Sequence, residues 1–214
     1  MTSFFFKDIP AFRMEGFCSV RDALTNLTNT LQLAEIVNTC AHCRTEDEID
    51  FDIAIFSGTF SRALIRKDDG FFSMSIPFQI VADPESITFN LDAFKEEVSG
   101  QFISIMRNAV LTAQEVSHSH EDIICSIADS FGLDVMVAVH YYDAFAMLVS
   151  DDHGYFRFDD DPKRENGHIH PRYHFDFFMK DTSAVKIGRD TKVDIECFYA
   201  LFDQAKPKHY LRKA

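Results

Sequence analysis

The stretch Asn166-Gly167-His168-Ile169-His170-Pro171-Arg172-Tyr173-His174-Phe175-Asp176-Phe177-Phe178 alternates polar and apolar residues with a period of two. That period belongs to an extended strand, whose successive side chains point to opposite sides. His168, His170, Arg172, His174 and Asp176 then share one side, and Ile169, Tyr173, Phe175 and Phe177 share the other. The apolar side needs a core to cover it, so a sheet with one packed face is required of any fold this chain adopts.

The polar side is composed for chemistry rather than for solubility, because Lys and Glu would hydrate it more simply. Neutral imidazole is the commonest ligand for borderline metals, and catalytic zinc sites combine three His, Asp or Glu ligands with an open position for water. His168, His170, His174 and Asp176 supply those donors, so a divalent metal such as zinc is the expected cofactor. Without a metal, His170 and His174 can act as general base and acid, with Asp176 beside them and Lys186, Arg189 or Arg172 stabilising developing negative charge. Either form suits hydrolysis of an ester or phosphoester. The spacing matches neither the HExxH helix nor the HxE and PCxxC pattern of zinc deaminases. Pro171 interrupts the strand, which leaves a structural alternative: His168 and His170 in a loop, with His174 and Asp176 hydrogen-bonded to neighbouring strands.

Ahead of this region the periodicity changes several times. Residues 1–18 carry Phe4, Phe5, Phe6, Phe12 and Phe17 around Pro10 and read as a Phe-rich arm laid over the core, with Phe4 to Phe6 exposed enough to meet a partner. Ser19-Val20-Arg21-Asp22 has the form of a capping box, and Val20, Leu24, Leu27, Leu31 and Ala34 continue as a helix to about Asn38. Short apolar runs between Phe51 and Ala82, with Asp69-Gly70 suited to a tight turn, predict antiparallel strands, and Pro77 belongs at an edge or bulge. Asn90 is read as the cap of a helix carrying Leu91, Phe94, Val98, Phe102, Ile105, Ala109 and Val116. Ser119 caps another, stopped by Gly132 and paired with the one before. Residues 133–149 are so apolar that periodicity barely decides, and helix is the reading. Beyond Ser150 strands return, with a turn at residues 180–183, then a last helix over about 192–204 with Val193, Cys197, Leu201 and Phe198 inward. The expectation is one α+β domain over 1–214 in which antiparallel sheets pack on long amphipathic helices: an arm (1–18), helices with a β-hairpin (19–149) and a C-terminal β region (150–214).

A formal charge of -13 argues against a nucleic-acid surface, which needs clustered Lys and Arg. The same charge, with Phe4 to Phe6, supports a second expectation: a non-catalytic acidic subunit or inhibitor that binds a protein partner or itself. The acidic runs at Glu46 to Asp52 and Asp159-Asp160-Asp161 read as solvated loops. No apolar run approaches the length of a membrane span and no secretory leader is evident, so a cytosolic protein is expected. Five cysteines are spread over the chain, and reduced thiols are the default. Cys40 and Cys43 form a lone CxxC and read as small core residues, since no second pair exists to complete a zinc site.

Overall fold

The computed structural model describes residues 1–20, 22–83, 86–115, 119–151, 154–167, 169–178, 184–203 and 205–207. In chain order the elements are β1 (Thr2–Phe6), α1 (Ala11–Met14), α2 (Ala23–Thr39), β2 (Arg44–Thr45), β3 (Ile53–Ser57), β4 (Arg62–Lys67), β5 (Gly70–Ser75), β6 (Gln79–Ala82), β7 (Ile87–Leu91) and β8 (Glu96–Glu97). Then follow α3 (Gly100–Glu115), α4 (His120–Phe131), α5 (Val135–Ser150), β9 (Phe156–Asp160), β10 (Tyr173–Phe178), β11 (Ala184–Arg189) and α6 (Ile195–Phe202). This is an α+β chain with antiparallel sheets, as expected. It divides into two compact units that are interleaved in sequence: Met1–Ile9, Cys43–Ile76 and His153–Ala214 form the first, Pro10–His42 and Pro77–Asp152 the second.

The first unit is an eight-stranded antiparallel sheet of order β11-β10-β9-β5-β4-β3-β1-β2. Strand alternation sends Phe5, Phe56, Leu64, Phe156, Phe158 and Phe175 to one face, where Phe51 from the loop before β3 joins them and α6 covers them with Phe198 and Phe202. Phe198 meets Phe71 at 5.3 Å between ring centroids, and Phe56 meets Phe202 at 5.0 Å. These rings bring no polar atom into the core, which explains why the chain uses Phe where many proteins use Tyr or Trp; each buried ring contributes roughly 2–3 kcal/mol of hydrophobic stabilisation. Asp194 caps α6 by accepting from Cys197 N at 3.0 Å. Cys197 and Phe198 face inward as expected, whereas Leu201 stays 38% exposed. It lies three residues on from Phe198, but the apolar stripe runs through Phe198 and Phe202 instead.

Phe4, Phe5 and Phe6 are not an exposed arm. They are buried in β1, which pairs with β3 on one side and β2 on the other. A run of three apolar residues is the pattern of a strand covered on both faces, and its partner Ile53–Ser57 lies far along the chain, beyond the reach of local periodicity. A tight hairpin joins β4 to β5 as expected, but its two-residue loop is Asp68-Asp69, and Gly70 is already the first residue of β5, paired with Lys67. Gly70 has φ +151 and a Cβ there would meet Phe158 O at 1.9 Å, so β9 can approach β5 closely only because residue 70 is glycine. The pairing of β5 with β9 joins strands separated by the whole of the second unit's larger segment.

In the second unit α2 packs on α3, α5 and β7, and a three-stranded sheet of order β6-β7-β8 completes it. The run from Phe71 to Val81 therefore splits near Pro77 between two sheets. Asp22, not Ser19, caps α2, accepting from Thr25 N at 2.7 Å. Asn90 is likewise no helix cap: Ile87–Leu91 is a strand of alternating burial, and Ser99 Oγ accepts from Phe102 N at 3.3 Å where α3 starts. Residues 87–98 satisfy both periods, and the alternation of Ile87, Phe89 and Leu91 toward the interior wins. Ser119 caps α4, Gly132 ends it in the left-handed region, and Thr112 Oγ1 donates to Ser126 Oγ at 2.9 Å across the α3–α4 pair. Residues 135–150 are a helix as read, capped by Asp134. Val116 and the expected turn at 180–183 lie outside the described residues. No helix among the described residues is long and apolar enough to cross a membrane.

Candidate metal centre

The face of the first sheet opposite α6 carries the polar side of β10. Register brings His174 opposite Asp159 of β9 and Gly188 of β11, and the next row sets Asp176 between Arg157 of β9 and Lys186 of β11. Directly opposed residues have Cβ atoms about 5 Å apart, so two adjacent rows gather five functional side chains. Asp159, His174 and Asp176 each offer one ligand atom, all within 4.8 Å of one another. His174 is 1% exposed and Asp176 4%.

Four polar contacts fix the cluster. Arg157 Nη2 donates to Asp159 Oδ2 and to Asp176 Oδ2, each at 2.8 Å. Lys186 Nζ lies 2.9 Å from both oxygens of Asp176, but only Oδ2 receives it with hydrogen-bond geometry. The buried Asp176 Oδ1 is left without a hydrogen bond. His174 Nδ1 is 2.9 Å from Pro171 O, an atom that can only accept, so Nδ1 carries a proton and any lone pair of the ring belongs to Nε2, which is turned inward. That lone pair faces Asp159 Oδ2 at 3.6 Å and Asp176 Oδ1 at 3.8 Å. Ligands of a tetrahedral zinc with bonds of about 2.0–2.1 Å stand roughly 3.4 Å apart, so the three atoms are close to coordinating positions. An imidazole lone pair aimed at an unbonded carboxylate oxygen is an arrangement that a cation between them would satisfy.

Burial pushes the Asp159 carboxyl above its ordinary range, opposed by Arg157 and reinforced by the negative charge of Asp176. For Arg157, burial works against the charge, but Asp159 and Asp176 outweigh it and hold the guanidinium more firmly protonated. The cluster is therefore a charge-balanced network of two carboxylates and two cations around one imidazole.

Gly188 makes the orientation of His174 possible. A Cβ at that position would lie 2.5 Å from Pro171 Cγ, so the glycine allows the proline to cross β11 and bring its carbonyl to His174.

The structure brings together His174, Asp176 and Lys186 among the expected site residues, and His170 beside them. His170 lies before β10, not on it, at a bridge in which Asn166 N donates to His170 O at 2.8 Å. Its ring packs edge-on against His174 with centroids 4.7 Å apart, and its Nδ1 is buried without a hydrogen-bond partner. His168 lies outside the described residues. Arg189 is a correction: three residues from Lys186 on one strand, it falls on the opposite face, where its Nη1 is 4.0 Å from Cys197 Sγ. Asp159 is the residue that sequence reasoning missed, set aside with Asp160 and Asp161 as a solvated run. Each of the three is paired, Asp160 with Arg172 at 2.8 Å and Asp161 with Arg164 at 3.8 Å. The signal that marks it is the alternation Phe156-Arg157-Phe158-Asp159, which mirrors Phe175-Asp176-Phe177.

In comparisons of the chain with family models, curated proteins and solved structures, nothing matches, so the chemistry of the cluster is argued from its own residues.

Proposed function

We propose that the chain binds a divalent cation such as zinc at Asp159, His174 and Asp176 and uses it to hydrolyse an ester or phosphoester. The observation that carries this reading is the inward Nε2 of His174, held by Pro171 and aimed at the unbonded Asp176 Oδ1. A cation there would polarise a substrate oxygen and lower the pKa of bound water to about 7. Arg157 would hold the two carboxylates in place, and Lys186, 43% exposed, is the group placed to meet an anionic oxygen arriving from solvent. His170, at the margin of the cluster, is the candidate proton carrier. Elemental analysis after dialysis against zinc or manganese, followed by turnover of a panel of generic nitrophenyl esters and phosphoesters, tests the reading. One equivalent of metal lost in His174→Ala, together with metal-dependent turnover, supports it; no retained metal and no turnover overturn it.

A second reading is a non-catalytic acidic protein that docks a partner. Its support is the apolar start of α5, where Val135, Met136 and Val137 are 60%, 73% and 42% exposed in a chain of formal charge -13. Met136→Asp would abolish association on a sizing column if this face binds, and would change nothing otherwise.

A further inference from the structure

The proposed cation position already has a cation beside it. Lys186 Nζ lies 2.9 Å from Asp176 and 3.5 Å from His174 Nε2, so the ammonium stands against the same carboxylate and the same lone pair that a metal would take. Two carboxylates face two cationic side chains, and the cluster is neutral. A divalent cation added with Lys186 in place would leave two positive charges uncompensated in a largely buried setting, an expensive arrangement at this separation.

The two resident cations differ in their freedom to leave. Arg157 is tied to both carboxylates at 2.8 Å and its side chain is 27% exposed. Lys186 stands on β11, the last strand in the sheet order, and its side chain is 43% exposed. A flexible four-carbon stem on an edge strand can move its ammonium into water without disturbing the backbone. Between them lies the atom that gains from an exchange: Asp176 Oδ1 is buried, lacks a hydrogen bond and faces His174 Nε2 at 3.8 Å. An unsatisfied buried donor or acceptor of this kind is costly and calls for a partner.

We propose that Lys186 is a removable plug in a three-ligand cation site: on binding of a divalent cation its ammonium leaves Asp176, and Asp159, His174 and Asp176 hold the ion with one position open to water. The inference rests on the metal-site reading above and adds the exchange. No bond to carbon is made or broken; one monovalent ammonium is released to solvent as one divalent ion enters, leaving Arg157 as the single charged side chain that still opposes it.

Zinc titration of the full-length chain by calorimetry, with cobalt(II) absorption as a report on ligand number, tests the exchange in wild type, Lys186→Met, Lys186→Gln, His170→Ala and His174→Ala. Removing the competing charge should tighten zinc binding about tenfold or more in both Lys186 variants, as expected of a unit charge within a few ångströms of a partly exposed site. His170→Ala should keep the cobalt spectrum, since its ring lies outside the three ligands, while His174→Ala abolishes binding. If wild type binds zinc and the Lys186 variants bind it no more tightly, the plug is wrong and the three-ligand site stands. If neither wild type nor the folded Lys186 variants bind zinc, the site itself is overturned. Binding by the Lys186 variants alone would confirm the plug in its strongest form. Two replacements of different polarity, each checked by circular dichroism, guard against a single misfolded variant.

Discussion

The two halves of the eight-stranded sheet treat their second face differently. In β3 and β4 both faces are apolar: Ile53, Ala54, Ile55 and Phe56 are all buried, as are Ala63, Leu64 and Ile65. In β9 and β10 only one face is, and the other alternates Arg157, Asp159, His174 and Asp176 between the phenylalanines. The first half gains stability by being featureless. The second spends part of its burial on charges that must satisfy one another, and it is there that buried ligand-type side chains are gathered.

Substitutions can break that contrast in order of size. Phe198→Ala removes the ring on which the rows from β5, β9 and β10 converge and should cost about 3–5 kcal/mol in a denaturant melt; a loss below about 1 kcal/mol would mean that α6 is not part of the core. Asp176→Asn leaves Arg157 and Lys186 with one charged partner between them, and about 2–3 kcal/mol should be lost, less than for a fully buried pair because Lys186 reaches solvent. If Asp176→Leu proves more stable than Asp176→Asn, the charge pairs of this half serve function rather than stability. Glu35 in the second unit offers a milder version, one carboxylate between Arg13 and Arg107. Burial raises its carboxyl, but the two guanidiniums outweigh that and hold it below the usual 4.5. Its contribution is thus complete above the unfolded value and is lost as pH falls through the lower native one; Glu35→Gln should flatten the acid limb of a stability-against-pH curve by less than about 1 kcal/mol. Ile169→Ser, at a side chain 83% exposed beside the cluster, should shift stability by no more than about 0.5 kcal/mol.

The alternation around residues 173–177 was legible because one face is apolar throughout, and a period of two then fixes which residues point away from the core. That reasoning places His174 and Asp176 together; it was not carried to β11, where the odd distance from Lys186 puts Arg189, expected in the site, on the opposite face. What the polar face meets was not legible, since Arg157 and Asp159 come from another strand and register depends on pairing rather than on local pattern. Pro171 ended the alternation early, which took His170 off the strand but left it against His174. Local signals succeeded where they were strong: the hairpin between β4 and β5, one residue ahead of the expected loop, the Ser119 cap with its Gly132 stop, and α5. They failed for β1, whose partner is distant, and for β7, where two periods fit the same residues.

The seam between β5 and β9 has a consequence for biosynthesis. A ribosome delivers β1 to β5 first, with α1 and α2 between β1 and β2, then β6 to β8 and α3 to α5, and only afterwards the strand that pairs with Gly70 to Ser73. During that interval the nascent first unit presents β5 as an open edge rich in phenylalanine, the sort of template that recruits stray chains. Speed of translation through the intervening segment, and chaperone capture of that edge, should therefore govern how much native protein a cell obtains.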